Sequence, residues 1–246
     1  MLPYSLDLLS DCLPGIHVPT GPFDPNSNWD CAYTMWNPAR SKTAKSERLG
    51  SLRVRREFTA DKNIRLQLTQ VINMKGANGS GITKAGVTCA ADDLSTPIRW
   101  TVESEVNDPQ GKPVPYTKSS ISGKASAGSI LLHREKDSRI KASKLLTSDW
   151  SLLDAVQRLP FDSRALEFDM LEELELLKPE QRISPGAAAE VELGGRKVTL
   201  HSFEQIGRGI LPWTYWLDDQ HRLIIAVSGR RAFLYNETQA GNGGQK

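Results

Sequence analysis

Residues 148–161, SDWSLLDAVQRLPF, form the only long amphipathic helical pattern in a chain that otherwise reads as strands and turns. Ser148 or Asp149 can cap the first turn, because a short oxygen-bearing side chain accepts a hydrogen bond from an otherwise unpaired N–H group. Pro160 ends the pattern, since proline lacks an N–H group and clashes with the preceding turn. The apolar side of the helix is formed by Leu152, Leu153, Val156 and Leu159, and the opposite side by Ser151, Asp154, Gln157 and Arg158.

The apolar side of this helix must be buried against another element. Its four aliphatic side chains contribute about 6–12 kcal/mol as an upper limit, taking roughly 1.5–3 kcal/mol for each. This is the same order as the net stability of a whole domain. We therefore expect the domain to unfold if the helix is lost.

Most of the remaining chain alternates apolar and polar residues with a period of two, which is typical of antiparallel strands with one face in water. The alternation is clearest over residues 52–55, 64–72 and 98–106. The paired Gly194 and Gly195 predict a tight hairpin, because glycine adopts the positive φ angles of a two-residue turn. Together these segments predict a mainly β fold with about eleven strands.

Three other segments complete the predicted organisation. Residues 1–47 contain scattered prolines and are predicted to be irregular, apart from a short strand around Trp29, Tyr33 and Trp36. Residues 168–177 space their apolar side chains at helical intervals, which predicts a short second helix. We predict a single domain over residues 48–237 and a disordered tail over residues 238–246.

The helix and the sheet together predict a half-barrel. About eleven strands at roughly 4.8 Å spacing make a sheet on the order of 50 Å wide, whereas a helix of about 10 Å diameter covers only a fifth of it. A strongly curved antiparallel sheet wrapped around the helix would let one apolar stripe contact many inward-facing side chains. A two-sheet sandwich with the helix outside is the alternative.

Composition and charge narrow the classes of function and partner. The 31 Lys and Arg residues against 29 Asp and Glu give a net charge of +2, which offers no basis for a nucleic-acid partner. No run of about 18 apolar residues is present, so no transmembrane segment is predicted. The first fifteen residues lack both a basic region and a continuous apolar region, so they are not a recognisable signal peptide. Either the protein is cytoplasmic or its natural start lies elsewhere, and a monomer is expected.

Residues for familiar chemistry are sparse. The chain has no phosphate-binding loop, no dinucleotide fingerprint, no HExxH and no GxSxG, so no cofactor, metal site or catalytic residue is assigned. Cys12, Cys31 and Cys89 lack zinc-ligand spacing and are interpreted as buried apolar residues, although a Cys12–Cys31 disulfide stays open. The aspartate pairs 92–93 and 218–219 fit turns better than a catalytic dyad.

Large apolar side chains give the best indication of a ligand site. Aromatic residues on strands and aliphatic residues on the helix would face each other across the hollow of the predicted sheet, and ligand pockets are mostly apolar. The predicted ligand-binding residues are Trp100, Leu153, Val156, Trp213 and Tyr215.

Three stretches resemble a family of bacterial proteins of uncharacterised function, usually exported, whose fold is similar to the half-barrel of the envelope lipoprotein-localisation carriers. They are TSDWSLLDAVQRLP (147–160), FDMLEELELLKPEQRI (168–183) and LPWTYWLDDQHRLIIAVSGRRAFLY (211–235). The resemblance covers residues 50–235 and implies a location in the periplasm or cell envelope, although this chain lacks the export signal. It also implies that the concave face holds an acyl chain, and it carries over no catalytic residue.

Three functions therefore stay open at this point. The first is non-enzymatic binding of a lipid or other apolar small molecule in the concave face. The second is a hydrolase-type enzyme that uses His201 or His133 with a nearby carboxylate. The third is a structural or interaction protein that uses a sheet edge or the segment 1–47.

Overall fold

The computed structural model describes residues 2–39, 44–76, 79–126, 128–143 and 145–236. No helix in these ranges is long and apolar enough to cross a membrane. In chain order the elements are α1 (Tyr4–Asp7), a 3₁₀ turn (Leu13–Gly15), β1 (Trp29–Asn37), β2 (Glu47–Phe58), β3 (Ile64–Met74), β4 (Gly79–Cys89), β5 (Pro97–Asn107), β6 (Ser119–Ser126), β7 (Ser129–His133), β8 (Ser138–Lys141), β9 (Leu146–Ser148), α2 (Asp149–Arg158), β10 (Leu166–Glu172), β11 (Leu176–Pro185), β12 (Ala189–Leu193), β13 (Arg196–Gly207), β14 (Trp213–Leu217), β15 (Leu223–Ser228) and β16 (Ala232–Tyr235).

One large open sheet contains all sixteen strands. Its order is β8-β7-β6-β5-β4-β3-β2-β1-β16-β15-β14-β13-β11-β10-β9, with β12 paired to β13. All pairs are antiparallel except β9 with β10. Edge strand β9 nevertheless contacts β5, which lies near the other edge, so the sheet must curl. No ladder joins β8 to β9 in the described ranges, and the sheet is therefore not closed.

The predicted fold class is confirmed in its coarse form and corrected in its strand count. The chain is mainly β and its helix α2 packs against the sheet, but sixteen strands replace the predicted eleven. The sandwich alternative is wrong, because one continuous path of strand pairs joins the sheet from edge to edge.

Helix α2 begins and ends where the sequence predicts. Ser148 is the cap, since its Oγ accepts a hydrogen bond from the Ser151 N–H at 2.9 Å. The last helical residue is Arg158, and Leu159 is extended before Pro160.

Both sides of α2 are buried, although an amphipathic pattern by itself would leave one side in water. The polar side is buried because its side chains find partners inside the protein. Gln157 shows this: its Oε1 accepts from the Leu223 N–H at 3.0 Å, and its Nε2 donates to the Leu153 carbonyl at 2.7 Å.

The predicted second helix over residues 168–177 is wrong, because this segment forms the β10–β11 hairpin. Glu173 and Leu174 turn the chain with φ angles of 52° and 60°. Alternate apolar residues Phe168 and Met170 face the core, so the apolar spacing fits a strand as well as a helix.

The predicted strand around Trp29, Tyr33 and Trp36 is confirmed as β1, which lies inside the sheet between β2 and β16. The preceding residues cover the outer side of the last strands: Trp216 Nε1 donates to Ser5 Oγ at 3.2 Å, and the Arg222 guanidinium donates to the carbonyl groups of Pro19 and Gly21. This cover explains why β15 is buried on both faces. The domain boundary at residue 48 stays a prediction, and the predicted tail 238–246 lies outside the described residues.

All three cysteines are buried and free, as their interpretation as apolar residues requires. Burial raises the pKa of Cys12 to about 11 and the pKa values of Cys31 and Cys89 to about 12. At neutral pH these thiols are therefore protonated and poor nucleophiles.

Candidate functional site

The predicted ligand-binding residues all belong to the interior of the molecule. Trp100, Leu153, Val156 and Tyr215 are buried in one continuous apolar cluster, and the partly buried Trp213 packs against it. The Trp213 and Tyr215 rings stack with centroids 6.2 Å apart. Their role in binding stays a prediction, and none of them lines any of four cavities found among the described residues.

Trp100 fills its part of the interior because β6 has a glycine beside it. A Cβ atom added to Gly123 would lie 2.4 Å from the indole carbons Cε2 and Cζ2 of Trp100. The ring therefore occupies the space that a side chain on β6 would take, and it leaves little room for a ligand.

One cavity lies at the seam, which we define as the gap between the two edges of the sheet beside Ala142, Ser143, Leu145 and Leu146. This cavity of about 480 Å³ has the size of a small-molecule pocket. It lies against β10 and β11, and its lining residues are Ser143, Leu145, Glu167, Phe168, Asp169, Glu180, Gln181 and Arg182.

A second cavity of about 200 Å³ also lies at the seam, against β5, β6 and β7. Ser143 lines both cavities. The lining of the second cavity combines apolar side chains with hydroxyl groups and includes Thr96, Pro97, Ile98, Ser129, Ile130 and Leu146. The remaining two cavities lie beside the N-terminal segment and on the outer face of β4 and β5.

Asp169 holds Ser143 and Leu145 in place at the seam. Its Oδ2 accepts a hydrogen bond from the Ser143 N–H at 2.6 Å, and its backbone N–H donates to the Leu145 carbonyl at 3.0 Å. Leu145 itself is 53% exposed, which leaves an apolar side chain in water at the mouth of the larger cavity.

A chain of buried polar groups connects the seam to the interior. The Tyr215 hydroxyl donates to Gln205 Oε1 at 2.7 Å, and Gln205 Nε2 lies 3.5 Å from Oε1 of Gln181, which lines the larger cavity. Of the predicted residues, Tyr215 is thus linked to the seam through side-chain amides. Sequence reasoning missed Phe168 because residues 168–177 resemble a helix, and it missed Leu145 and Gln181 because only strand pairing brings them to the same place.

Asp149 is the acidic group with the most unusual environment. It opens α2, accepts N–H groups of Trp150 and Glu173 at 3.0 Å each, and lies near Tyr215. Burial raises its pKa from 3.8 to about 7, and the nearby Glu173 carboxylate adds to the shift. Its carboxyl group is therefore partly protonated at neutral pH.

The Asp149→Asn variant should be more stable than wild type at pH 8 but not at pH 4. The folded pKa lies above the unfolded one, so the benefit of the neutral form is complete below about 4 and is lost as pH rises through about 7. Because the side chain is only partly buried, we expect a gain of about 2 kcal/mol, half of the full linkage value. Urea unfolding at both pH values measures it. Asp93→Asn is the exposed control, and an equal effect of Asp149→Asn at both pH values would contradict the prediction.

Both histidines of the enzyme hypothesis lie beside a carboxylate. His201 Nε2 is 2.9 Å from Asp219 Oδ1, and His133 Nδ1 is 3.0 Å from Asp137 Oδ1. In the described residues, no serine, threonine or cysteine side chain forms a hydrogen bond with either histidine, so neither pair has a hydroxyl or thiol nucleophile to activate.

The Phe161 ring lies between two imidazole rings. Its centroid is 4.0 Å from that of His201 and 3.9 Å from that of His221, with nearly parallel planes. Burial lowers the pKa of His221, and the neighbouring His201 lowers it further. This stack holds the end of α2 on β13 and on the β14–β15 turn, which is a packing role.

No group of three or more His, Cys, Asp or Glu side chains that could hold a metal ion occurs in the part of the chain that the structure describes.

Comparison with known proteins shows a similarity of fold only. No family model matches the chain, and no curated protein matches it. Among solved structures, the chain is similar to a beta-barrel-like protein of a domain of unknown function, DUF1849, from Brucella abortus. The TM-score is 0.54 at 9% identity, and the match covers 85% of this chain and 96% of that chain. The chain therefore shares the architecture of a bacterial β-barrel-like protein, a likeness of fold that carries no activity with it.

Proposed function

We propose that the chain is a non-enzymatic binding protein that takes a lipid or other apolar small molecule at the seam. The observation that carries this proposal is the pair of cavities at the seam, where apolar side chains meet an opening in the sheet. A ligand there needs no displacement of the buried interior.

The two cavities suit different parts of one ligand. The smaller cavity offers Ile98, Ile130 and Leu146 to a short hydrocarbon group, because burying apolar surface is the main source of binding free energy for such a group. The larger cavity combines Leu145 and Phe168 with polar and charged groups, which fix orientation.

The charged residues of the larger cavity favour certain polar head groups on the ligand. Three carboxylates, of Glu167, Asp169 and Glu180, face a single guanidinium, of Arg182. A hydroxyl or amine head group is therefore favoured over a phosphate or carboxylate, which these carboxylates would repel.

The space between α2 and the sheet is the second candidate site for an acyl chain. The resemblance to the lipoprotein-localisation carriers, and with it a location in the periplasm or envelope, supports a ligand between α2 and the sheet. Because Leu153 and Val156 are already buried, a ligand there would have to separate α2 from the strands.

A neutral fluorescent probe tests the seam. N-phenyl-1-naphthylamine should bind the wild-type chain with increased fluorescence, and Leu145→Asp should weaken binding about tenfold by placing a charge at the apolar mouth. Leu176→Asp is the matched control, because Leu176 is 54% exposed and lines neither cavity of the seam. No binding by wild type, or equal loss in both variants, would remove the proposal. Native mass spectrometry of the purified chain then identifies any lipid that it carries.

A further inference from the structure

The outer face of β3–β8 carries a row of basic side chains, although these residues lie far apart in the sequence. Strand register aligns them: β3 and β5 contribute one arginine each, with Thr88 of β4 between them, and β6 and β8 contribute a lysine and an arginine, with Leu131 of β7 between them. All four cationic side chains are exposed. We call Arg65, Arg99, Lys124 and Arg139 the basic row.

The charges of the basic row are not neutralised by neighbouring carboxylates. None of its four members forms an ion pair within the described residues. Glu57, which lies opposite Arg65, pairs instead with Arg55 at 2.7 Å. In the nearby β4–β5 turn, the Asp92 carboxylate accepts the N–H groups of its own loop.

The basic row runs across the strands. With about 4.8 Å between neighbouring strands, the five steps from β3 to β8 span about 24 Å. A line of like charges at this spacing produces a positive field along one direction of the surface.

A second row lies beside the first on the same face. Two residues along each strand, the side chains again point outward, and the register aligns them from β3 to β7. These residues offer amide, hydroxyl and imidazole groups, of which the His133 imidazole contacts the Asp137 carboxylate. We call Gln67, Thr101, Ser122 and His133 the polar row.

We propose that this outer face binds an acidic polysaccharide. Its carboxylate or sulfate groups contact the basic row, and its sugar hydroxyls form hydrogen bonds with the polar row. The two rows together match a polymer that carries charges and hydroxyl groups side by side, which neither row would match by itself.

Two other polyanions fit this face less well. Neither row contains Phe, Tyr or Trp, so the aromatic platforms on which single-stranded nucleic acids stack are missing. A flat anionic membrane would touch only part of a row that crosses a curled sheet, whereas a flexible polymer can follow it.

Binding of a fluorescein-labelled heparin oligosaccharide, followed by anisotropy at low and physiological salt, tests the proposal. The row variant Arg65→Gln, Arg99→Gln, Lys124→Gln and Arg139→Gln should weaken binding at least about tenfold and reduce its salt dependence. The control variant Arg164→Gln, Arg196→Gln, Lys197→Gln and Arg230→Gln removes the same charge from other exposed positions and should change binding less than about twofold. Thermal unfolding of both variants confirms that they fold.

Two further arms separate the possible partners. Thr101→Val with Ser122→Ala should weaken heparin binding about threefold but leave inorganic polyphosphate binding unchanged, because polyphosphate has no sugar hydroxyls. Equal loss in the row and control variants would overturn the proposal, as would tighter binding to single-stranded DNA or to phosphatidylglycerol vesicles. Leu145→Asp should not affect heparin binding, so this test is independent of the seam.

Discussion

Replacing Asp154 with alanine should lower the free energy of unfolding by about 3–5 kcal/mol, because it leaves a buried arginine without its counter-ion. Asp154 is 0% exposed and Arg56 is 1% exposed. Arg56 Nε lies 2.7 Å from Asp154 Oδ1, so the two side chains form a buried ion pair. Urea unfolding at pH 7 measures the loss.

The Asp154 carboxylate also connects α2 to the β4–β5 turn. Its Oδ2 accepts from the Ser95 hydroxyl at 2.5 Å and from Arg158 Nε at 3.2 Å, and Arg158 Nη2 donates to the Asp92 carbonyl at 2.6 Å. The carboxylate therefore joins the helix to β2 and to this turn at once. Removing the carboxylate should weaken the contacts of α2 with β2 and with the β4–β5 turn.

Two variants separate the ion pair from general packing. Asp93→Ala, at an exposed aspartate in the same turn, should change stability by less than about 0.5 kcal/mol. Asp154→Leu combined with Arg56→Met should recover part of the loss, because a buried pair can be replaced by apolar groups of similar volume. A loss below about 1 kcal/mol in Asp154→Ala would show that the buried charge is solvated or neutralised.

Leu152→Ala should lower the free energy of unfolding by about 2–5 kcal/mol, which is the range for deleting a fully buried leucine side chain. Leu152 is 0% exposed on the apolar side of α2. Because α2 packs against β9, β10 and β15, the surroundings cannot collapse easily into the vacated space. Thermal and urea unfolding measure the change.

The surface variant Leu176→Ala provides the comparison for Leu152→Ala. The same atoms are removed from a side chain that is 54% exposed, so the loss should stay below about 1 kcal/mol. Equal losses would mean that α2 does not form part of the core.

The sequence predicts α2 correctly because the capping residue, the apolar stripe and the proline all indicate the same helix. Ser148 caps the helix, Leu152 and Val156 are buried, and Pro160 follows its end, all as local rules require. The reasoning fails at residues 168–177, where apolar residues at Phe168, Met170, Leu171 and Leu174 satisfy both periods. Pairing with β11, a tertiary interaction, decides in favour of the strand.

The candidate sites depend even more on tertiary structure. The seam brings together Leu145, Phe168 and Gln181, whose relation depends on β9 pairing in parallel with β10. The basic row joins four strands through register, whereas the net charge of +2 gives no sign of a concentrated positive surface. Net charge averages over the whole surface, so it cannot report such segregation.

By itself, the sequence determined a mainly β chain and the position of one capped, buried helix, because capping and periodicity act between residues close in the chain. Only the tertiary structure decided that Asp154 and Gln157 are buried beside the apolar residues of the same helix. Their partners Arg56 and Leu223 lie far away in the sequence, and a polar side chain can leave water only where folding supplies such a partner. The seam and the basic row likewise consist of residues far apart in the sequence, so no local sequence pattern could predict them.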